Sequence, residues 1–190
     1  MERIILASAS PRRHQLLSWA EIEYDIIVKE TDESFPADMP VEETPVYIAA
    51  NKAKAVQAEI SHDRCILAAD TVVVLDDQII GKPADRKAAI ITLQKLSGRK
   101  HRVITGVVLQ KGDKIVSFSD ITYVEFHVLT EEQIAYYVDH YRPYDKAGAY
   151  AIQEWIGVIG IKSIEGDFYN VMGLPVSRVV KELSVLDESL

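Results

Sequence analysis

The sequence predicts a mixed α/β protein, and three observations carry that expectation. Strand-like and helix-like stretches alternate through the first half, an apolar run rich in β-branched residues occupies 66–75, and two strands meet at the turn Lys111-Gly112-Asp113-Lys114. Alternation favours parallel pairing, whereas a tight strand-to-strand turn demands antiparallel pairing, so the sheet is expected to be mixed. At 190 residues, one domain or two tightly joined lobes is expected, and a tandem array is excluded.

Residues 3–7 read as a short buried strand. Ser8-Ala9-Ser10-Pro11 follows with hydroxyls able to cap a helix and Pro near its first position, so a helix through Leu16, Leu17 and Ala20 is expected. A second strand over 24–28 leads into an acidic, Pro-containing loop over 29–40. Thr44-Pro45 opens a long helix to about Ser61, with Ile48, Ala49, Ala53, Val56 and Ile60 at buried spacing. The run 66–75 reads as a central strand buried on both faces, interrupted by Asp70. Asp76-Asp77 turns the chain, Gly81-Lys82-Pro83 breaks it, and a helix runs from about Asp85 to a stop at Ser97-Gly98. The hairpin strands over 103–109 and 115–128 come next, the second counted as one strand or two. Thr130-Glu131-Glu132-Gln133 has the capping-box pattern and opens a helix to about His140. Two short segments, 148–152 and 155–161, precede Gly173-Leu174-Pro175 and a last helix through Val179, Val180 and Leu183.

Composition narrows the function classes. With 48% hydrophobic and 26% charged residues the chain can bury a real core, which excludes disorder. Twenty-one Lys and Arg against 29 Asp and Glu give a net charge of -8, the wrong sign for stable binding to nucleic acid. A single cysteine, Cys65, cannot form an internal disulfide, and no Cys/His group has zinc spacing, so a reducing cytoplasm is expected. Ile4-Ile5-Leu6-Ala7 is far shorter than a signal-peptide core of about 7–15 residues, and no apolar run approaches the roughly 18 of a membrane span. No membrane association is expected.

Several segments carry candidate chemistry. Ser8-Ala9-Ser10-Pro11-Arg12-Arg13 joins a strand to a helix N-terminus, where free amides, hydroxyls and two guanidiniums suit phosphate. It lacks the glycines and Gly-Lys-Ser/Thr of a P-loop, and the alternative is a Ser-Pro cap with two solvated arginines. Asp70 costs several kcal/mol in a doubly buried strand unless a cation, a metal or hydrogen-bond donors offset its desolvation. Lys52 and Lys82 are further phosphate contacts or solvated lysines, and Glu33, among four acids of its loop, is a metal ligand or simply solvated. Lys146-Ala147-Gly148-Ala149-Tyr150-Ala151-Ile152-Gln153 packs small residues around a glycine and ends in an amide suited to a base edge, or is a tight turn with a surface Gln.

Together, Leu6 to Arg13, Ala68-Ala69-Asp70-Thr71-Val72-Val73, Gly81-Lys82-Pro83, Leu96-Ser97-Gly98 with His101, Thr105-Gly106, Asp145 to Gln153 and Asn170-Val171-Met172-Gly173-Leu174-Pro175 resemble the Maf family of nucleoside triphosphate pyrophosphatases. The Lys-Ala-Gly-Ala-Tyr-x-Ile-Gln segment resembles the subgroup acting on dTTP and UTP. The resemblance covers nearly the whole chain, as a single domain over 1–190. It implies a twisted mixed sheet flanked by helices, in two lobes with a cleft between them, like inosine triphosphate pyrophosphatases. It implies Asp70 as the catalytic residue and metal ligand, with Glu33 also at the metal; Arg12, Thr71 and Gln153 at positions of substrate choice; and Ser8, Arg13, Lys52 and Lys82 at the phosphates. A divalent cation, Mg2+ or Mn2+, and a homodimer are implied as well. The chain departs from the family pattern at Glu154, where Gly is usual, and at Asp167-Phe168-Tyr169, where Gly-Ser-Tyr is common. Two other readings remain beside hydrolysis of dTTP and UTP: a nucleotide-binding regulator of septum formation, and a sanitising enzyme for modified pyrimidine nucleotides.

Overall fold

A computed structural model describes residues 3–60 and 64–188. Seven strands form one mixed sheet: β1 (Ile4–Leu6), β2 (Tyr24–Ile26), β3 (Ile66–Leu75), β4 (Gln78–Ile80), β5 (Lys100–Lys111), β6 (Lys114–Phe126) and β7 (Ile161–Glu165). The order is β2-β1-β3-β5-β6-β7, with β4 paired to β3. β1 runs parallel to both β2 and β3, whereas β4 and β7 are antiparallel to their partners. The helices are α1 (Pro11–Trp19), α2 (Thr44–Gln57), α3 (Arg86–Leu96), α4 (Glu131–Tyr141), α5 (Trp155–Gly160), α6 (Phe168–Met172) and α7 (Val176–Glu188). The mixed α/β class is as predicted.

The chain divides into two compact units, 1–70 with 105–120 and 173–190, and 71–104 with 121–172. In the first unit α2 lays Ala49, Ala53 and Val56 on Ile5 and Ala7 of the β1 end and on Ile66, Ala68 and Val108. Gly106 permits this approach: a Cβ there would stand 2.2 Å from the Val46 backbone nitrogen, so any larger residue would push away the first turn of α2. In the second unit Val73, Val103 and Val124 pack with Ile80, Ala147, Ile161 and Val171.

Local chemistry explains most boundaries. Asp85 caps α3, its carboxylate accepting from the Ala88 amide at 2.8 Å, and Thr130 with Gln133 closes the predicted capping box on α4. Asp76 and Asp77 both have positive φ, 50° and 58°, the geometry of a two-residue hairpin turn between β3 and β4. The sequence reading placed that turn and did not anticipate β4. The short segment expected at 155–161 is α5, whereas β7 and α6, both short, have no counterpart in the sequence expectations. The predicted second hairpin strand is the single β6. α2 ends at Gln57, four residues before the predicted end, and Ser61 itself lies outside the described residues.

Candidate active site

The first unit holds six of the predicted residues, Ser8, Arg12, Arg13, Glu33, Lys52 and Asp70, with Arg12 half-buried in the first turn of α1. β1 stops at Leu6 opposite Leu67, and β3 runs on past it to Asp70, so the turn over 7–10 and Asp70 share the carboxyl-end side of the parallel strands, where open α/β sheets bind ligands. Ser8 is buried at the bottom of that turn. Its Oγ accepts the Ser10 amide at 3.2 Å and the Nη1 of Arg13 at 3.0 Å. His14 Nε2 lies 2.9 Å from the Ser8 carbonyl oxygen. Arg13 also donates from Nε to the Gly173 carbonyl at 2.8 Å, which ties the start of α1 to the chain just before α7. Arg13 is therefore buried, unlike the solvated arginine that was one alternative. Burial pushes its pKa down, the negative charge of Asp70 pulls it back up, Arg12 pushes it down again, and Glu33 pulls it up. A guanidinium stays protonated under such shifts.

Asp70 finds the partner its strand position demands. Lys52, on α2, places Nζ 2.7 Å from Asp70 Oδ1 and 2.7 Å from Glu33 Oε1. The side chains of Lys52 and Asp70 are only 17% and 16% exposed, so this contact is poorly screened, whereas Glu33, at 52%, reaches in from the solvated loop. Asp70 Oδ2 makes no hydrogen bond among the described residues, which leaves one carboxylate oxygen open.

Two carboxylates thus converge on one cation's place. No group of three or more His, Cys, Asp or Glu suited to a metal occurs among the described residues. Mg2+ commonly takes one or two carboxylates and completes its shell with water and substrate phosphates, so Asp70 and Glu33 are a donor set that fits such an ion.

The second unit holds Thr71, Lys82 and Gln153. Thr71 is half-buried next to Asp70 in β3, and Lys82 is exposed in the break before α3, without an ion pair among the described residues. The segment before Gln153 is built tightly. Gly148 has φ +70°, and a Cβ there would lie 2.9 Å from Val73 Cγ2, so the glycine lets this backbone pack closely on β3. Ala149, fully buried, is held at φ 58°, a conformation that costs a non-glycine residue of order 1–3 kcal/mol. Hydrogen bonds from the Gly148 amide to the Gly81 carbonyl and from the Ala149 amide to the Lys146 carbonyl hold it there. Gln153 itself is exposed, and its amide makes no hydrogen bond among the described residues.

Four groups outside the candidate set contribute here; Gly173, Lys146 and Glu154 lie in or beside the motifs, and Tyr137 does not. Gly173 offers its carbonyl to Arg13, and Tyr137, Lys146 and Glu154 form a polar cluster behind Gln153. Of these, Glu154 is marked in the sequence as an acid where the resembled pattern has glycine.

A mixed sheet that sets hydroxyl, guanidinium, ammonium and paired carboxylates beside the end of its first strand defines a protein built to handle a phosphorylated ligand. The chain belongs to the Maf family: the family described as Maf-like protein matches residues 3–186. It is 48% identical to the dTTP/UTP pyrophosphatase of Bacteroides thetaiotaomicron over 97% of this chain and 96% of that one. It is 51% identical to the dTTP/UTP pyrophosphatase of Cytophaga hutchinsonii over 95% of this chain and 82% of that one. Among solved structures, the Ham1 protein of Staphylococcus aureus matches at 15% identity with a TM-score of 0.46, over 66% of this chain and 72% of that one, too slight a likeness to carry an argument.

Proposed function

We propose that this chain hydrolyses dTTP and UTP to the monophosphate and pyrophosphate. The observation that carries the proposal is its near-full-length identity of 48% and 51% to proteins named dTTP/UTP pyrophosphatase, and the cluster of Ser8, Arg13, Lys52, Glu33 and Asp70 supports it.

Water adds to the α-phosphorus, the bond from that phosphorus to the α–β bridging oxygen breaks, and pyrophosphate leaves. The reaction needs an oriented water and neutralised phosphate charge, and no covalent nucleophile. Lys52 holds Asp70 Oδ1, so the open Oδ2 is the atom to receive the water's proton. Arg12, Arg13, Lys52 and Lys82 supply positive charge for the phosphates, with Arg13 and Ser8 also fixing the turn that follows β1. A divalent cation, Mg2+ or Mn2+, would be held by Asp70 and Glu33 and would neutralise phosphate charge. Gln153 and Thr71 serve base and substrate choice: the open amide of Gln153 matches the N3 donor and O4 acceptor shared by uracil and thymine, a pair that cytosine reverses. We read the two units as one Maf-type domain, with the family match over 3–186 as support. No described helix is long and apolar enough to cross a membrane, and the reading places the enzyme in the cytoplasm as a homodimer.

The test is a panel of nucleoside triphosphates with and without Mg2+. Catalytic efficiency should be highest for dTTP and UTP and should collapse when the metal is chelated. Equal rates on CTP and on purine nucleotides would reject the substrate assignment.

A further inference from the structure

Gln153 has an odd situation for a residue that discriminates between bases. A freely rotating amide offers donor and acceptor in either order and would accept cytosine as readily as uracil. Since no described residue hydrogen-bonds that amide, what the fold fixes is the backbone position from which the side chain reaches the base. The residues on either side of Ile152 and Gln153 converge on one buried side chain, Tyr137 of α4. The Ala151 amide donates to the Tyr137 hydroxyl oxygen at 3.1 Å, and that hydroxyl donates in turn to Glu154 Oε2. Lys146, also buried, lies with Nζ 3.6 Å from Glu154 Oε1 and 2.8 Å from Asp145 Oδ1. Further along, the Glu154 carbonyl accepts the Gly157 amide at 2.9 Å, while Gly157 sits so close to the Ile152 carbonyl that a Cβ would overlap it.

We propose that Glu154, acting with Tyr137 and Lys146, is the positioning residue that sets base selectivity by clamping the two-residue stretch 152–153. This deepens the reading of Gln153 given above and rests on it. One hydroxyl bridges the 151 backbone and the Glu154 side chain, so a rotation of the peptides between them works against that pair of bonds. Truncating Glu154 would take from the Tyr137 hydroxyl its carboxylate acceptor and from Lys146 a second acid within reach.

The experiment compares kcat/KM for UTP and CTP in Glu154→Ala, Glu154→Gln, Tyr137→Phe and Gln153→Ala, with melting temperature measured alongside. Tyr137→Phe keeps the ring and its packing, so it serves even where Glu154→Ala folds poorly. The UTP to CTP ratio should fall about 3- to 10-fold in Glu154→Ala and Tyr137→Phe, the size expected for one lost hydrogen bond, and mainly through KM for UTP. Glu154→Gln keeps an acceptor for the hydroxyl and should restore most of the ratio. A ratio unchanged in Tyr137→Phe and Glu154→Ala while Gln153→Ala lowers it overturns the clamp and leaves the base-reading role standing. A ratio unchanged in Gln153→Ala overturns that role, and the clamp with it.

Discussion

Asp70 offers one carboxylate oxygen to Lys52 and keeps the other open, and this division of labour is the chemical centre of the proposed reaction. Asp70→Asn preserves volume and an acceptor for Lys52 but cannot take a proton, so turnover should fall about 10²–10⁴-fold or more with an unchanged circular dichroism spectrum. Steady-state kinetics on UTP check this. His101 tests burial instead. Its Nε2 lies 2.7 Å from the Tyr150 hydroxyl, its ring stacks on Phe126, and Nδ1 has no hydrogen-bond partner among the described residues. Burial pushes its pKa down to about 4 from an ordinary value of 6.5. Between these values the unfolded chain binds a proton that the folded chain does not, so stability falls as pH drops from 6.5 to about 4 and this contribution levels off below. Denaturant titrations across that window should show a slope of up to about 1.4 kcal/mol per pH unit from this residue. His101→Phe should remove that slope while costing about 1–3 kcal/mol for the Tyr150 hydroxyl left behind. At this scale Asp70 was legible because a charge in an apolar strand demands a partner. The burial of Arg13 was not, since its acceptor, the Gly173 carbonyl, lies 160 residues along the chain.

Among the elements, α2 matters most to the site because it carries Lys52, and its seat depends on a single missing side chain. Gly106→Ala would drive a methyl to 2.2 Å from the Val46 nitrogen and 2.3 Å from the Pro45 carbonyl carbon, both backbone atoms with little room to yield. A loss of about 1–3 kcal/mol or more is expected, lowering Tm by several degrees, and activity should fall with it as Lys52 shifts. Gly81→Ala, with nothing within 4 Å of the added atom, is the neutral control. The same contrast shows which elements sequence could announce. α1, α2, α3 and α4 declare themselves through Pro11, Thr44-Pro45, Asp85 and the Thr130–Gln133 box, which act within a turn of the helix start. β7 has no such signal: it is mostly exposed and becomes a strand only by pairing with β6, about 40 residues earlier. α5 is six residues long with two glycines, too short for a periodic pattern to register.

For the whole molecule, composition excluded more than it identified. An acidic chain with one cysteine and a sizeable core fits many cytoplasmic enzymes, and it was the joint occurrence of separate motifs that singled out the Maf family, to which the chain belongs. The strand order was hidden because pairing between distant strands leaves no local trace, yet that order sets Asp70 beside the Ser8 turn. Which phosphate bond breaks is the point on which the proposed activity stands. The direct measurement is product analysis after incubation with UTP or dTTP and Mg2+, counting pyrophosphate, orthophosphate, monophosphate and diphosphate in the same sample. The mechanism predicts pyrophosphate and nucleoside monophosphate in equal amounts, lost on chelation of the metal and in Asp70→Asn. Orthophosphate with nucleoside diphosphate would contradict it, because the bond cut would then lie between the β and γ phosphates.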